Sequence, residues 1–161
     1  MNKRNVAVVI ASRANFGRIR SVLKAIHEHE NLELTIIVAA SALLYRFGNV
    51  VDLIEQEGFK ISSKIYTIVE GENPTTMAKS VGLSIIELTT QLEYFKPDFL
   101  LTVADRYETI ASAIAASYMN IPVIHTQGGE ITGSIDESVR HAITKLSHIH
   151  FPATELSKER L

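Results

Sequence analysis

The chain has 161 residues, 21% of them charged and 46% hydrophobic, a formal net charge of −2 and no cysteine. That length suits one domain with a sizeable core, and the charge offers no basic excess to collect a nucleic-acid backbone. Without cysteine there are no disulfides or thiolate metal sites, which fits a reducing cytoplasm, and no stretch approaches the ~20 apolar residues that span a bilayer.

The opening MNKRNVAVVIASRANFG places Lys3 and Arg4 before an apolar run. The run is too short for the core of a signal peptide and ends at Arg13. It reads instead as a first strand over residues 5–11, apolar throughout, as a strand buried on both faces is. Phe16, Ile19, Val22, Leu23 and Ile26 recur at helical spacing, with His27 and His29 near the helix end, where positive charge suits the macrodipole. Residues 32–40 form the second strand, 49–59 a short helix stopped by Gly58, and 60–69 the third strand. Asn73-Pro74 opens a long helix with an apolar stripe from Met77 to Phe95, closed by Lys96-Pro97-Asp98. A fourth strand at 99–104, an alanine-rich helix at 107–118, a fifth strand at 121–126 and a helix at 136–146 follow. HIHF reads as a short sixth strand, and Thr154 as the cap of a last helix. Strand and helix alternate throughout, which demands crossovers and predicts an α/β fold: a doubly wound, mostly parallel, Rossmann-like sheet.

In such sheets ligands bind beyond the carboxyl ends of the strands, and three loops there are unusual. SRANFGR, after the first strand, lacks the GxGxxG spacing of dinucleotide folds but carries Arg13, Arg18 and Arg20. A guanidinium fork matches phosphate; a solvated helix start is the plainer reading. ADRYE, after the fourth strand, puts Asp105 where the chain leaves the sheet, as a crevice carboxylate or as a helix cap, and Glu108 can complete a capping box.

The third loop is HTQGGEITGSIDESVRH, residues 125–141. Gly128 and Gly129 permit close approach of backbone, and Glu130 follows them in a position that caps nothing obvious. Asp136 and Glu137 open a helix, where acids complement the dipole, and Arg140 stands four residues after Asp136, close enough to pair with it. His141 lies beside it. His148 and His150 share a face if their segment is a strand; with no third ligand evident, packing or surface histidines are the plainer reading than a metal site. Neither a GxSxG elbow nor a GxxxxGK[ST] loop is present. An acidic crevice bearing arginines suits a phosphorylated, hydroxyl-rich ligand and acid/base chemistry.

SRANFGR, ADRYE, the stretch from His125 to His148 and FPATELSKERL, in this order, resemble the hydrolysing UDP-N-acetylglucosamine 2-epimerases of the sialic and legionaminic acid branch. The likeness runs over essentially the whole chain. It implies a two-domain fold like that of glycosyltransferase-B enzymes, of which residues 1–161 are the N-terminal Rossmann-like half; the ending TELSKERL, inside a helical pattern, reads as the edge of a larger protein. The implied reaction takes the C2 proton while the C1–O bond to UDP breaks, then adds water to give the free 2-epimer. The implied catalytic groups are Asp105, Asp136 and Glu130; the implied substrate-binding groups are Arg13, Arg18, Gln127, Gly128, Gly129, Arg140 and His141. Many relatives carry glutamate where this chain has Gln127, and an amide cannot act as base, which raises Glu130 as a candidate. The resemblance implies a UDP-sugar as partner, no metal or redox cofactor, no nucleic acid or membrane, and a homo-oligomer in the full-length enzyme. A non-hydrolysing 2-epimerase and a non-catalytic nucleotide-sugar-binding module are the alternatives.

Overall fold

The computed structural model describes residues 3–103 and 106–161. Six strands form one sheet in the order β3-β2-β1-β4-β5-β6, and every neighbouring pair is parallel. The strands are β1 (Arg4–Ile10), β2 (Leu32–Ala39), β3 (Ser63–Ile65), β4 (Phe99–Val103), β5 (Val123–Thr126) and β6 (Ile149–Phe151). The helices are α1 (Arg13–Glu28), α2 (Val50–Gln56), α3 (Pro74–Phe95), α4 (Ile110–Tyr118), α5 (Ile135–Leu146) and α6 (Glu155–Lys158). This is the doubly wound architecture, whose strand order reverses direction between β1 and β4.

The unbroken apolar runs are explained by burial on two faces. In β1, Val6, Val8 and Ile10 pack with Ile19, Leu23 and Ile54 of α1 and α2, while Ala7 and Val9 pack on the opposite layer with Leu88, Leu92 and Ile143 of α3 and α5. Alternate residues thus serve different cores, and a polar residue at either parity would be desolvated. The buried face of α4 is alanine, at 111, 113, 115 and 116, which lets that helix lie close to the sheet between α3 and α5.

Helix starts follow their side chains. Ser12 accepts from the Asn15 amide, Asn73 and Thr76 form a reciprocal capping box, and Thr154 accepts from the Ser157 amide. The third strand is shorter than the periodicity predicts, Ser63–Ile65 rather than 60–69, because β3 is an edge strand that pairs only with the carboxyl end of β2. Two 3-10 turns, Ala40–Leu43 and Tyr45–Phe47, fill the connection after β2, and a third, Tyr107–Thr109, precedes α4. Among the described residues no helix is long and apolar enough to cross a membrane.

Candidate active site at the carboxyl ends of the strands

The loops after β1 and β5 meet. Arg18, on the second turn of α1, donates from Nη1 to Oε1 of Gln127 at 3.2 Å, joining positions 109 residues apart. Gln127 holds a left-handed backbone, φ 61°, and its amide donates to the Phe151 carbonyl of β6 at 2.9 Å. The strained residue is therefore fixed at both ends. Arg13 opens α1, its guanidinium against Gly48; Arg20 is tied to Glu57 of the α1–α2 flank at 2.9 Å. The structure thus divides the three arginines of the first loop: Arg18 reaches the glycine loop and Arg20 turns away from it.

Gly128 and Gly129 are buried for different reasons. A Cβ on Gly128 would stand 3.0 Å from the His125 ring and from Leu161, and one on Gly129, φ 79°, would stand 2.1 Å from the Ser157 carbonyl oxygen. The second approach forbids a side chain, while the first leaves one only if the His125 ring and Leu161 give way. The rest of the loop is held by charge. Arg140, only 1% exposed, donates to the Glu130 carbonyl at 2.7 Å, and Arg160 donates to the Gly129 carbonyl at 3.2 Å. Glu137 accepts from the Thr132 and Gly133 amides at 2.7 and 2.6 Å, and these two amide hydrogen bonds hold its carboxyl below the usual range. His141 stands 3.9 Å from Glu137 and is half exposed. The Glu130 side chain is half-buried.

Asp136, in the first turn of α5, is half-buried, and its charge is felt by Tyr107 and Glu108 in the turn after β4. Glu108 of that turn is 4% exposed, and Arg106 Nε lies 2.8 Å from its Oε1, a charge contact rather than an aligned hydrogen bond. Burial, above all, pushes the Glu108 carboxyl up; the Arg106 guanidinium opposes this and the Asp136 carboxylate adds to it. The Tyr107 phenol is raised by burial and then by the Glu108 and Asp136 charges. Glu108 is thus a buried carboxyl rather than the completed capping box its spacing allows. Asp105 lies outside the described residues.

Under the loop sits His125, fully buried, with Nδ1 3.3 Å from the Thr144 hydroxyl. Burial, the neighbouring His150 and the Arg140 charge lower its pKa to about 4, so the ring is neutral near pH 7. His150 packs edge-on to it at 6.1 Å, while His148 Nδ1 accepts the Val123 amide at 3.3 Å. His150 of β6 therefore packs beside His125 of β5, and His148, just before that strand, braces β5 through the Val123 amide. Among the described residues no three His, Asp or Glu side chains cluster as metal ligands do.

The loops after β2 and β3, which sequence reasoning passed over, enclose a cavity of about 280 Å³ whose wall includes Arg46, Phe47, Ile68, Met77, Arg106 and Tyr107. Arg106 and Tyr107 connect it to the acidic turn. Its only sequence signals were Asn73-Pro74 and Gly71, which announce a helix start and a turn but not a concavity.

The sequence model of UDP-N-acetylglucosamine 2-epimerase matches residues 24–161. The UDP-N,N'-diacetylbacillosamine 2-epimerase (hydrolyzing) of Legionella pneumophila is 43% identical over 158 residues, 98% of this chain and 42% of the relative. The GDP/UDP-N,N'-diacetylbacillosamine 2-epimerase (hydrolyzing) of Campylobacter jejuni is 37% identical over 162 residues, 100% of this chain and 42% of the relative. The crystal structure of UDP-GlcNAc 2-epimerase from Neisseria meningitidis bound to UDP-GlcNAc superposes with a TM-score of 0.83 at 26% identity, covering 97% of this chain and 42% of that one. The chain spans about two fifths of the length of these relatives. With its parallel sheet, its glycine loop and this match, the chain belongs to the UDP-N-acetylglucosamine 2-epimerase family.

Proposed function

We propose that this chain is the N-terminal half of a hydrolysing UDP-sugar 2-epimerase, which converts a UDP-2-acetamido sugar to the free 2-epimer and UDP. One observation supports the reading: Arg18, in the helix after β1, bonds Gln127 of the glycine loop after β5, while the charge of Asp136 at the end of that loop reaches Glu108 in the turn after β4. The hydrolysing activity in the names of the two relatives at 43% and 37% identity supports it.

In the first stage a carboxylate removes the C2 proton while the C1–O bond breaks. The electron pair of the C2–H bond becomes the C1–C2 double bond, and UDP leaves with the pair of the C1–O bond. In the second stage a proton returns to C2 from the other face and water adds at C1. The C2 proton is weakly acidic, so its base must be positioned and a second acid must serve the departing or entering oxygen. Asp105, Asp136 and Glu130 are the carboxylates for these roles. Gln127 cannot take a proton; its amide binds Arg18 and can orient a hydroxyl or acetamido group. Arg13 and Arg18 attract the diphosphate, whereas Gly128 and Gly129 serve the loop's own packing, against His125 and Ser157, rather than the approach of a ligand. Arg140 fixes the loop from below, and His141 stands at its outer edge.

The test is release of UDP from UDP-N-acetylglucosamine and from its diacetamido-trideoxy counterpart. A protein carrying both halves should release UDP and free 2-epimer, and Asp105→Asn should lower turnover by roughly 10²–10⁴-fold. A product that keeps its UDP would make the enzyme a non-hydrolysing epimerase. Residues 1–161 alone should bind nucleotide sugar weakly and not turn it over, because half a cleft leaves the diphosphate in water.

A further inference from the structure

Resting on the epimerase reading, we propose that Thr102 of β4 and Ser112 of α4 are positioning residues for the carboxylate of Asp105. They act through a line of buried hydroxyls whose two ends fall on either side of that residue in the sequence.

The line crosses from sheet to helix. Thr102 Oγ1 and Ser112 Oγ lie 2.9 Å apart, and both residues are 1% exposed. Ser112 Oγ donates to the Thr109 carbonyl at 2.6 Å, and Thr109 Oγ1 donates to the Arg106 carbonyl at 2.6 Å. A hydroxyl has one hydrogen to give and a carbonyl has none, so the order of donation is fixed. Thr102 donates to Ser112, Ser112 to Thr109, and Thr109 to Arg106. On the sheet side Thr126 Oγ1, next to Gln127, makes a long bond of 3.4 Å to the Thr102 carbonyl.

Sequence position gives this line its consequence. Thr102 comes three residues before Asp105, and Arg106 comes directly after it. The end of β4 is thereby tied to the backbone on the far side of the candidate carboxylate. Arg106 is held a second time, by Glu108 Oε1 at 2.8 Å from its Nε. With each hydroxyl hydrogen committed, the network favours one arrangement of the turn.

Packing alone does not call for hydroxyls here. The other buried residues of β4 are Leu100, Leu101 and Val103, and those of α4 are Ala111, Ala113, Ala115 and Ala116. Thr102→Val and Ser112→Ala would leave nearly the same space filled, and removing both partners of a buried hydrogen bond together is close to neutral for stability. Thr109 and Ser112 each bond a carbonyl three residues back, a local pattern common to such residues. The bond from Thr102 to Ser112 is different, because it joins the sheet to the helix. What it supplies is placement, and a base at C2 depends on placement: an error of about 1 Å can cost ~100-fold in rate.

The test is made in a protein carrying both halves, by release of UDP from UDP-N-acetylglucosamine and from its diacetamido-trideoxy counterpart. The double variant Thr102→Val/Ser112→Ala should lower kcat by about 10–100-fold at unchanged KM, with the urea midpoint unmoved. Thr102→Ser, which keeps the hydroxyl, should keep the rate. The Thr109 amide, bonded to the Arg106 carbonyl at 3.0 Å, should exchange with solvent faster in the double variant. Should the double variant not fold, Thr102→Val alone takes its place with the same expectations. An unchanged kcat, a loss that tracks the urea midpoint, an equal loss in Thr102→Ser, or unaltered exchange at Thr109 would overturn the role and keep the epimerase. An unsubstituted protein that releases no UDP would reject the epimerase, and the role with it.

Discussion

The glycine loop after β5 and the cavity loops after β2 and β3 lie on one edge of one sheet and both use positive-φ residues, but the first is braced by a buried arginine and the second by exposed ion pairs. The first is held through its backbone. Gln127, Gly129 and Gly133 have positive φ, carbonyls of Gly129 and Glu130 are caught by Arg160 and Arg140, and amides of Thr132 and Gly133 are caught by Glu137. The second is walled by side chains, apolar ones and exposed ion pairs. Groups that must stand at one reacting carbon need a fixed frame, and backbone hydrogen bonds supply it. A wall of side chains can be resized without moving that frame.

The comparison breaks first at Asp136. In a protein carrying both halves, Asp136→Asn should lower UDP release by roughly 10²–10⁴-fold with folding intact, since the amide keeps the shape and loses the proton. Near-normal rates would return Asp136 to a helix-dipole role and leave the glycine loop a frame around nothing.

Next in size is the frame itself. Gly129→Ala should cost about 3–5 kcal/mol in a urea titration, because its Cβ meets the Ser157 carbonyl and its φ of 79° disfavours any side chain. At Gly133 an added Cβ meets nothing within 4 Å, so only the backbone term remains and Ala should cost about 1 kcal/mol. Equal costs would show that conformation, not close approach, governs the loop.

His125 braces the loop as a neutral ring, and its lowered pKa fixes the sign of a pH effect. The unfolded chain binds a proton near 6.5 and the folded chain only near 4, so stability is complete above 6.5 and falls as pH drops toward 4. The gap amounts to about 3 kcal/mol at most. His125→Asn should remove that slope from urea midpoints measured across the window. A wild-type slope that persists unchanged in the variant would place the effect on other groups.

The smallest effect belongs to the cavity wall. Arg46 and its partners Glu70 and Glu72 are largely exposed, so Arg46→Gln should change stability by no more than about 1 kcal/mol. A larger loss would show that the ion pairs hold the loop, as the amide bonds do after β5.

The sequence disclosed what rests on period and composition. Continuous apolar runs mark β1, β2, β4 and β5 because both faces of each are buried, and Asn73-Pro74 and Thr154 mark helix starts through a local hydrogen bond. It disclosed the glycine loop because positive φ and close approach leave glycine as their trace. It hid whatever depends on distant partners. Nothing local says that Arg18 crosses to Gln127, or that Glu108 is buried instead of capping. Arg140 looked like a surface partner for Asp136, yet its guanidinium supports the Glu130 carbonyl from inside. The cavity was hidden for the same reason: its walls come from the tails of three separate strands and read singly as ordinary loops.

The contact between Gly129 and Ser157 also governs motion. The loop carbonyl is bonded to Arg160, and the loop backbone rests on α6 with no room for a methyl between them. The contact blocks approach of the two segments, and the Arg160 bond resists their separation. A displacement of α6 should therefore be felt at the candidate catalytic loop, and the amides of the two segments should exchange with solvent as one cooperative unit.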